Sequence, residues 1–100
     1  MGIADESLME MQKLRANISL HFTADSWVDI RDATGKPLIR SLGVAGVTKE
    51  VVGVAPFQVL LGYGPGVQIT YNGEPYDFQK FQGRQEVARF TIDASKDQQN

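Results

Sequence analysis

The chain has 100 residues, a formal net charge of −2 with the two signs interspersed, and no cysteine. That length supports one domain with a single core, burying roughly 60–65% of the unfolded surface and stable by ~5–10 kcal/mol. The charge balance argues against a general nucleic-acid binder, which would carry a basic patch or stripe, and the missing cysteines exclude a disulfide framework and thiolate chemistry while leaving the compartment open.

Residues 1–16 read as a linker or short helix. Met1-Gly2-Ile3-Ala4 has linker character; Asp5, Glu6 and Ser7 then precede Leu8, Met11 and Leu14, a spacing that fits a helix with early acids and late Lys13 and Arg15. At about ten residues such a helix is marginal alone, and either packs on the domain edge or frays. No run approaches the ~20 apolar residues of a membrane helix, and no signal-peptide core stands out, so the chain as it stands is expected to be soluble.

From Asn17 the apolar period changes to two. Ile18, Leu20 and Phe22 form one face and Asn17, Ser19 and His21 the other, the pattern of a half-buried strand. A second strand runs from Trp27 to Arg31, with Val28 and Ile30 facing one way and Trp27, Asp29 and Arg31 the other. Asp32-Ala33-Thr34-Gly35 then suits a type I turn, with Asp at the first position and Gly at the fourth. A tryptophan among charges on the water side conflicts with the burial pattern. Trp27 is therefore expected to be covered by the N-terminal segment or a neighbouring loop, with contact to a partner as the alternative.

Lys36-Pro37 leads into Leu38-Ile39-Arg40-Ser41-Leu42, and Gly43 and Gly46 flank an irregular link. Thr48 to Val52 reads as a strand whose charges suit a sheet edge. After the break at Ala55-Pro56, Phe57 to Leu61 is apolar on both faces through Leu60, which places it centrally. Gly62-Tyr63-Gly64-Pro65-Gly66 lacks the spacing of any phosphate-binding fingerprint and reads as a wide turn between strands. Val67, Ile69 and Tyr71 alternate with polar residues and meet Asn72-Gly73, the type I′ hairpin signal. The return limb Glu74 to Phe78 carries Pro75, so it should be short or lie at an edge, with Phe81 capping the core from a loop. Glu86 to Ile92 closes the fold with Ala88, Phe90 and Ile92 inward, and the polar residues from 94 to 100 form a flexible tail. The resulting expectation is all-β: a small antiparallel sandwich or flattened barrel of seven to eight short strands over residues 17–93.

No catalytic constellation emerges from these residues, and no cofactor site is expected. Asp25, Asp29 and Asp32 are close in sequence, but Asp29 is mid-strand and the other two belong to turns, so no cleft sets a working separation. Asp29 to Gly35 also has Ile30 and Arg31 where a calcium loop needs oxygen ligands. His21, the single histidine, lacks the companions of a zinc set and reads as a solvated strand residue. The aromatics Trp27, Tyr63 and Tyr76 fit contact with a partner better than catalysis.

Four blocks in order carry a family resemblance: Phe22 through Lys36 (FTADSWVDIRDATGK); Ala55-Pro56-Phe57 with Leu61-Gly62; Val67-Gln68-Ile69 through Tyr71-Asn72-Gly73-Glu74-Pro75; and Val87 through Ile92. Together they resemble the C-terminal domain of RodZ, the bacterial cell-shape protein, across roughly residues 18–92. Ser26 stands where some relatives have cysteine. The resemblance implies a fragment of a single-pass membrane protein, lying on the periplasmic side of the inner membrane. It also implies coupling of the MreB filament to the cell-wall elongation machinery, with MreB bound through a cytoplasmic domain outside this chain. On this reading the domain contacts a periplasmic or membrane protein, and Trp27, Asp29 and Arg31 form the candidate contact face. The rival is a carbohydrate module reading peptidoglycan strands, which asks for a row of exposed aromatics.

Overall fold

The computed structural model describes residues 15–81 and 83–93. The helix expected over Leu8 to Leu14 and the tail from 94 to 100 lie outside the described residues. Eight strands follow one another: β1 (Arg15–Phe22), β2 (Ser26–Arg31), β3 (Pro37–Gly43), β4 (Thr48–Val54), β5 (Phe57–Leu61), β6 (Val67–Tyr71), β7 (Glu74–Tyr76) and β8 (Ala88–Ile92). They form two four-stranded antiparallel sheets, ordered β4-β1-β6-β7 and β3-β2-β5-β8. Two separate sheets decide between the two expected architectures. This is a sandwich.

The alternation along each central strand builds the core. Ile18, Leu20 and Phe22 of β1 meet Val28 and Ile30 of β2, Phe57, Val59 and Leu61 of β5, and Ile69 of β6, all essentially removed from water. At roughly 1.5–3 kcal/mol per buried side chain, this set is the main favourable contribution to folding. β1 starts at Arg15, two residues before the alternation alone placed it, because Ala16 also turns inward and is buried. β4 is the outermost strand of its sheet, as its charges required, and β5 lies between β2 and β8, as its two apolar faces required.

Turn chemistry connects the layers. Gly35 N–H donates to the Asp32 carbonyl at 2.9 Å, closing the expected turn, and Gly35 has φ +84°. Asn72 and Gly73 have φ of 51° and 85°, the backbone of a type I′ hairpin. The link after β3 folds back onto β1, with Gly46 N–H donating to the Phe22 carbonyl at 2.7 Å. Gly43 sits against the Phe22 ring so closely that a Cβ would fall 2.1 Å from it. Residues 64–66 form a single 3-10 turn that feeds directly into β6. Gly66 accepts a hydrogen bond from Thr23 N–H at 2.8 Å, so the glycine-rich turn braces the β1–β2 connection.

At the opposite side, aromatic rings close the sandwich. Phe90 of β8 stacks with Phe78 at 5.1 Å, Phe81 at 5.6 Å and Tyr76 at 6.0 Å between ring centroids. Phe81 thus covers the core from its loop. The last strand is shorter than expected. Glu86 adopts φ +65° in a tight turn over residues 84–86, a left-handed backbone incompatible with strand geometry, so pairing begins only at Ala88.

Candidate functional site

The outer face of the β3-β2-β5-β8 sheet is assembled from alternate residues of four strands. Trp27, Asp29 and Arg31 all point outward from β2, while Val28 and Ile30 are buried beneath them. Register sets their neighbours: Leu42 lies opposite Trp27, Arg40 and Leu60 flank Asp29, and Gln58 lies opposite Arg31. β8 extends the rows with Arg89 opposite Leu60 and Thr91 opposite Gln58.

Trp27 is 43% exposed, and Leu42 beside it is 51% exposed. The expected cover over Trp27 is therefore not there; no loop among the described residues buries the ring, and the N-terminal half of that expectation lies outside them. Gly62 leaves room on its other flank, since a Cβ there would approach the Trp27 Cβ to 3.2 Å. The Ser26 hydroxyl fixes the start of the strand, donating to the Trp27 carbonyl and accepting from Tyr63 N–H, each at 3.0 Å.

Asp29 is the electrostatic centre of the face. Its carboxylate oxygens lie 3.4 Å from Arg40 Nε and 3.9 Å from Arg31 Nε, and its side chain keeps only 19% exposure. An open depression of about 340 Å³ lies between β2, β5 and β8, with Asp29, Arg31, Gln58, Leu60, Arg89 and Thr91 in its lining.

The other sequence candidates are dispersed. Asp32 is buried in the turn after β2, where its carboxylate accepts from Thr34 Oγ1 at 2.6 Å and Thr34 N–H at 3.0 Å, with a longer contact to Val54 N–H at 3.4 Å. The Thr34 hydroxyl, supported by these backbone donors and opposed by burial, holds the Asp32 carboxyl below its ordinary value of 3.8. Asp25 accepts from Ala45 N–H at 2.9 Å. His21 is on the outer face of the other sheet, sharing a 2.9 Å hydrogen bond with Thr48 Oγ1. Among the described residues, no three His, Asp or Glu side chains gather to hold a metal ion.

Sequence reasoning placed Trp27, Asp29 and Arg31 on one face but missed Arg40, Leu42 and Arg89 as their companions. The alternation of β5 and β8 carried half of that signal, in the outward positions of Gln58 and Arg89. Cross-strand register carried the other half.

By fold, the chain is a small antiparallel β-sandwich domain with an exposed sheet face that is part apolar and part cationic. Its sequence matches the family model for the RodZ C-terminal domain over residues 19–91, and the chain belongs to that family. No solved structure matches it. Membership brings a RodZ-type role in cell shape, in a membrane-anchored setting with partners in the cell-shape machinery. No helix among the described residues is long and apolar enough to cross a membrane.

Proposed function

We propose that this domain is a non-enzymatic interaction module on the periplasmic side of the inner membrane. It belongs to a single-pass scaffold that couples MreB inside the cell to cell-wall elongation outside, and it makes its contact through Trp27, Asp29 and Arg31. The observation that carries this reading is the exposed Trp27–Leu42 pair, formed between the central strand β2 and the edge strand β3. A large aromatic that lies outside the core cluster and stays 43% exposed supplies contact area at low entropic cost to a partner. Family membership supports the cell-shape setting.

The carbohydrate reading finds less support. The outward positions of the four strands hold one aromatic, Trp27. Tyr63 instead folds toward the turn, where a Cβ on Gly66 would meet its ring at 2.8 Å, and Phe81 stacks on the core ring of Phe90. Row-wise stacking of sugar rings has no second platform on this face.

Shape complementation tests the assignment. Trp27→Ala in the full-length scaffold should leave the domain folded and abolish or weaken rod-shape rescue in cells lacking the native protein. Full rescue by a folded, normally abundant variant removes this face from consideration.

A further inference from the structure

We propose that the outer face of the β3-β2-β5-β8 sheet receives a short acidic polypeptide segment with an apolar residue at one end. This rests on the interaction-module reading above and assigns the chemistry of the partner. The first observation is charge. Among the outward side chains of the four strands themselves, three guanidinium groups, Arg31, Arg40 and Arg89, stand with one carboxylate, Asp29, a net +2 on a chain whose total is −2, leaving −4 to the rest. Opposite-sign surfaces of this kind steer encounter and fix register.

The second observation is how the charges are held. Asp29 approaches Arg40 and Arg31 at Nε, at 3.4 and 3.9 Å, and both arginine side chains stay open to water at 55% and 42% exposure. Asp29 thus sits between two arginines that remain accessible to a further carboxylate. Arg89 has no carboxylate partner among the described residues. Two neighbouring acids are turned away, Asp25 onto Ala45 N–H and Asp32 onto Thr34.

The third is spacing. Trp27 and Arg31 are four residues apart on β2, or ~13 Å along an extended strand, the reach of about four to five residues of an extended peptide. The apolar Trp27–Leu42 pair marks one end. The depression beside Arg31, at about 340 Å³ with Gln58, Arg89 and Thr91 in its lining, gives acidic side chains a place at the other. The chemistry favours a polypeptide over a lipid surface. All three cations are arginine, whose planar fork matches a carboxylate bidentately, and a fixed separation between apolar and cationic ends has a counterpart in a peptide and none in a bilayer.

The test is an amide chemical-shift titration of the 100-residue chain with a synthetic octapeptide carrying one leucine followed by four glutamates. Shifts are expected on residues 27–31, 40–42, 58–60 and 89–91, with weakening in 0.3 M salt. The same peptide with four glutamines should bind at least about tenfold more weakly, and so should the acidic peptide to the double variant Arg31→Glu/Arg89→Glu with its thermal midpoint retained. Equal binding of the glutamine peptide, shifts confined to another surface, or no response at millimolar peptide would each overturn the proposal. So would vesicles of phosphatidylglycerol perturbing this face while the acidic peptide does not. A face that captures a protein in cells yet ignores the acidic peptide refutes the charge assignment alone, whereas a face that captures nothing refutes the interaction reading beneath it.

Discussion

Replacing Asp32 with alanine should destabilise the domain by about 2 kcal/mol near neutral pH. The carboxylate joins the β2–β3 turn to the last residue of β4 in the opposite sheet, through Thr34 Oγ1, Thr34 N–H and Val54 N–H. Hydrogen bonds to a charged acceptor contribute about 1.5–3 kcal/mol each, but they do not add. Thr34 is exposed and can rebond to water, while the Val54 contact is long at 3.4 Å. Removing the carboxylate also relieves its own burial, which brings the net to about 2 kcal/mol, or a fall in melting temperature of about 8–16 °C for a domain of this size.

The pH dependence carries the sharper signature. Hydrogen bonding from Thr34 lowers the Asp32 pKa in the folded state relative to its ordinary value of 3.8, so the unfolded chain takes up the proton first. The stabilisation is complete above pH of about 4 and is lost as the pH falls through the lowered value. Calorimetric or circular-dichroism melts of both proteins from pH 7 to pH 2 should show the gap between them narrowing at the acid end. A gap below 0.5 kcal/mol on the order-of-magnitude scale of surface substitutions, or one that stays constant to pH 2, would refute the reasoning.

Three further substitutions probe separate parts of the account. Gly43→Ala drives a methyl group into the Phe22 ring, a contact of 2.1 Å before relaxation, and should lower stability in denaturant unfolding by ~1–3 kcal/mol; a neutral result would mean the corner yields freely. Phe90→Ala removes the ring that Phe78, Phe81 and Tyr76 all stack upon and should cost ~3–5 kcal/mol, read as a large fall in the urea midpoint with the m-value little changed. Trp27→Ala, by contrast, should change stability by under ~1 kcal/mol, since the residue is 43% exposed, lies outside the core cluster and stands opposite the exposed Leu42. A loss of several kcal/mol there would mark Trp27 as part of the packing and undercut its role in contact.

Much of the sandwich was legible because a strand with one buried face announces itself by period two. Ile18-Leu20-Phe22, Val28-Ile30 and Val67-Ile69-Tyr71 all point inward as their alternation requires. Leu60, an apolar residue on the polar side of its strand, correctly marked β5 as central. Asn72-Gly73 was legible because few other dipeptides accept two successive positive φ values. Glu86 was not, since nothing in its side chain signals a left-handed backbone, and Val87 after it looks like strand.

The candidate face was half legible for a related reason. Alternation fixes which way a side chain points but not what stands opposite. Counting outward from a four-residue turn at Asp32 to Gly35 places Leu38 opposite Asp29 and Arg40 opposite Trp27. The turn pairs Asp32 with Lys36, its N–H donating to the Lys36 carbonyl at 3.2 Å, which moves the register by one. The irregularity between Ile30 and Arg31, where Leu38 is skipped, moves it by one more, bringing Arg40 to Asp29 and Leu42 to Trp27. The apolar pair and the ion cluster both exist because of those two steps together. Arg89 joins them only through the β2-β5-β8 pairing, which is a long-range property of the fold. Trp27 posed the remaining conflict between pattern and burial, and the pattern prevailed because its flanking strands offer Leu42 and Gly62 rather than a covering loop.

Site-specific photocrosslinking in living cells tests the central claim most directly. Photoreactive residues would replace Leu42 and Gln58 on the proposed face, and Ser19 and Gln68 on the outer face of the opposite sheet, in the full-length scaffold. Capture of a discrete protein from positions 42 and 58, with none from 19 and 68, is the predicted result. Capture from positions 19 and 68 alone, or from none of the four, would contradict it.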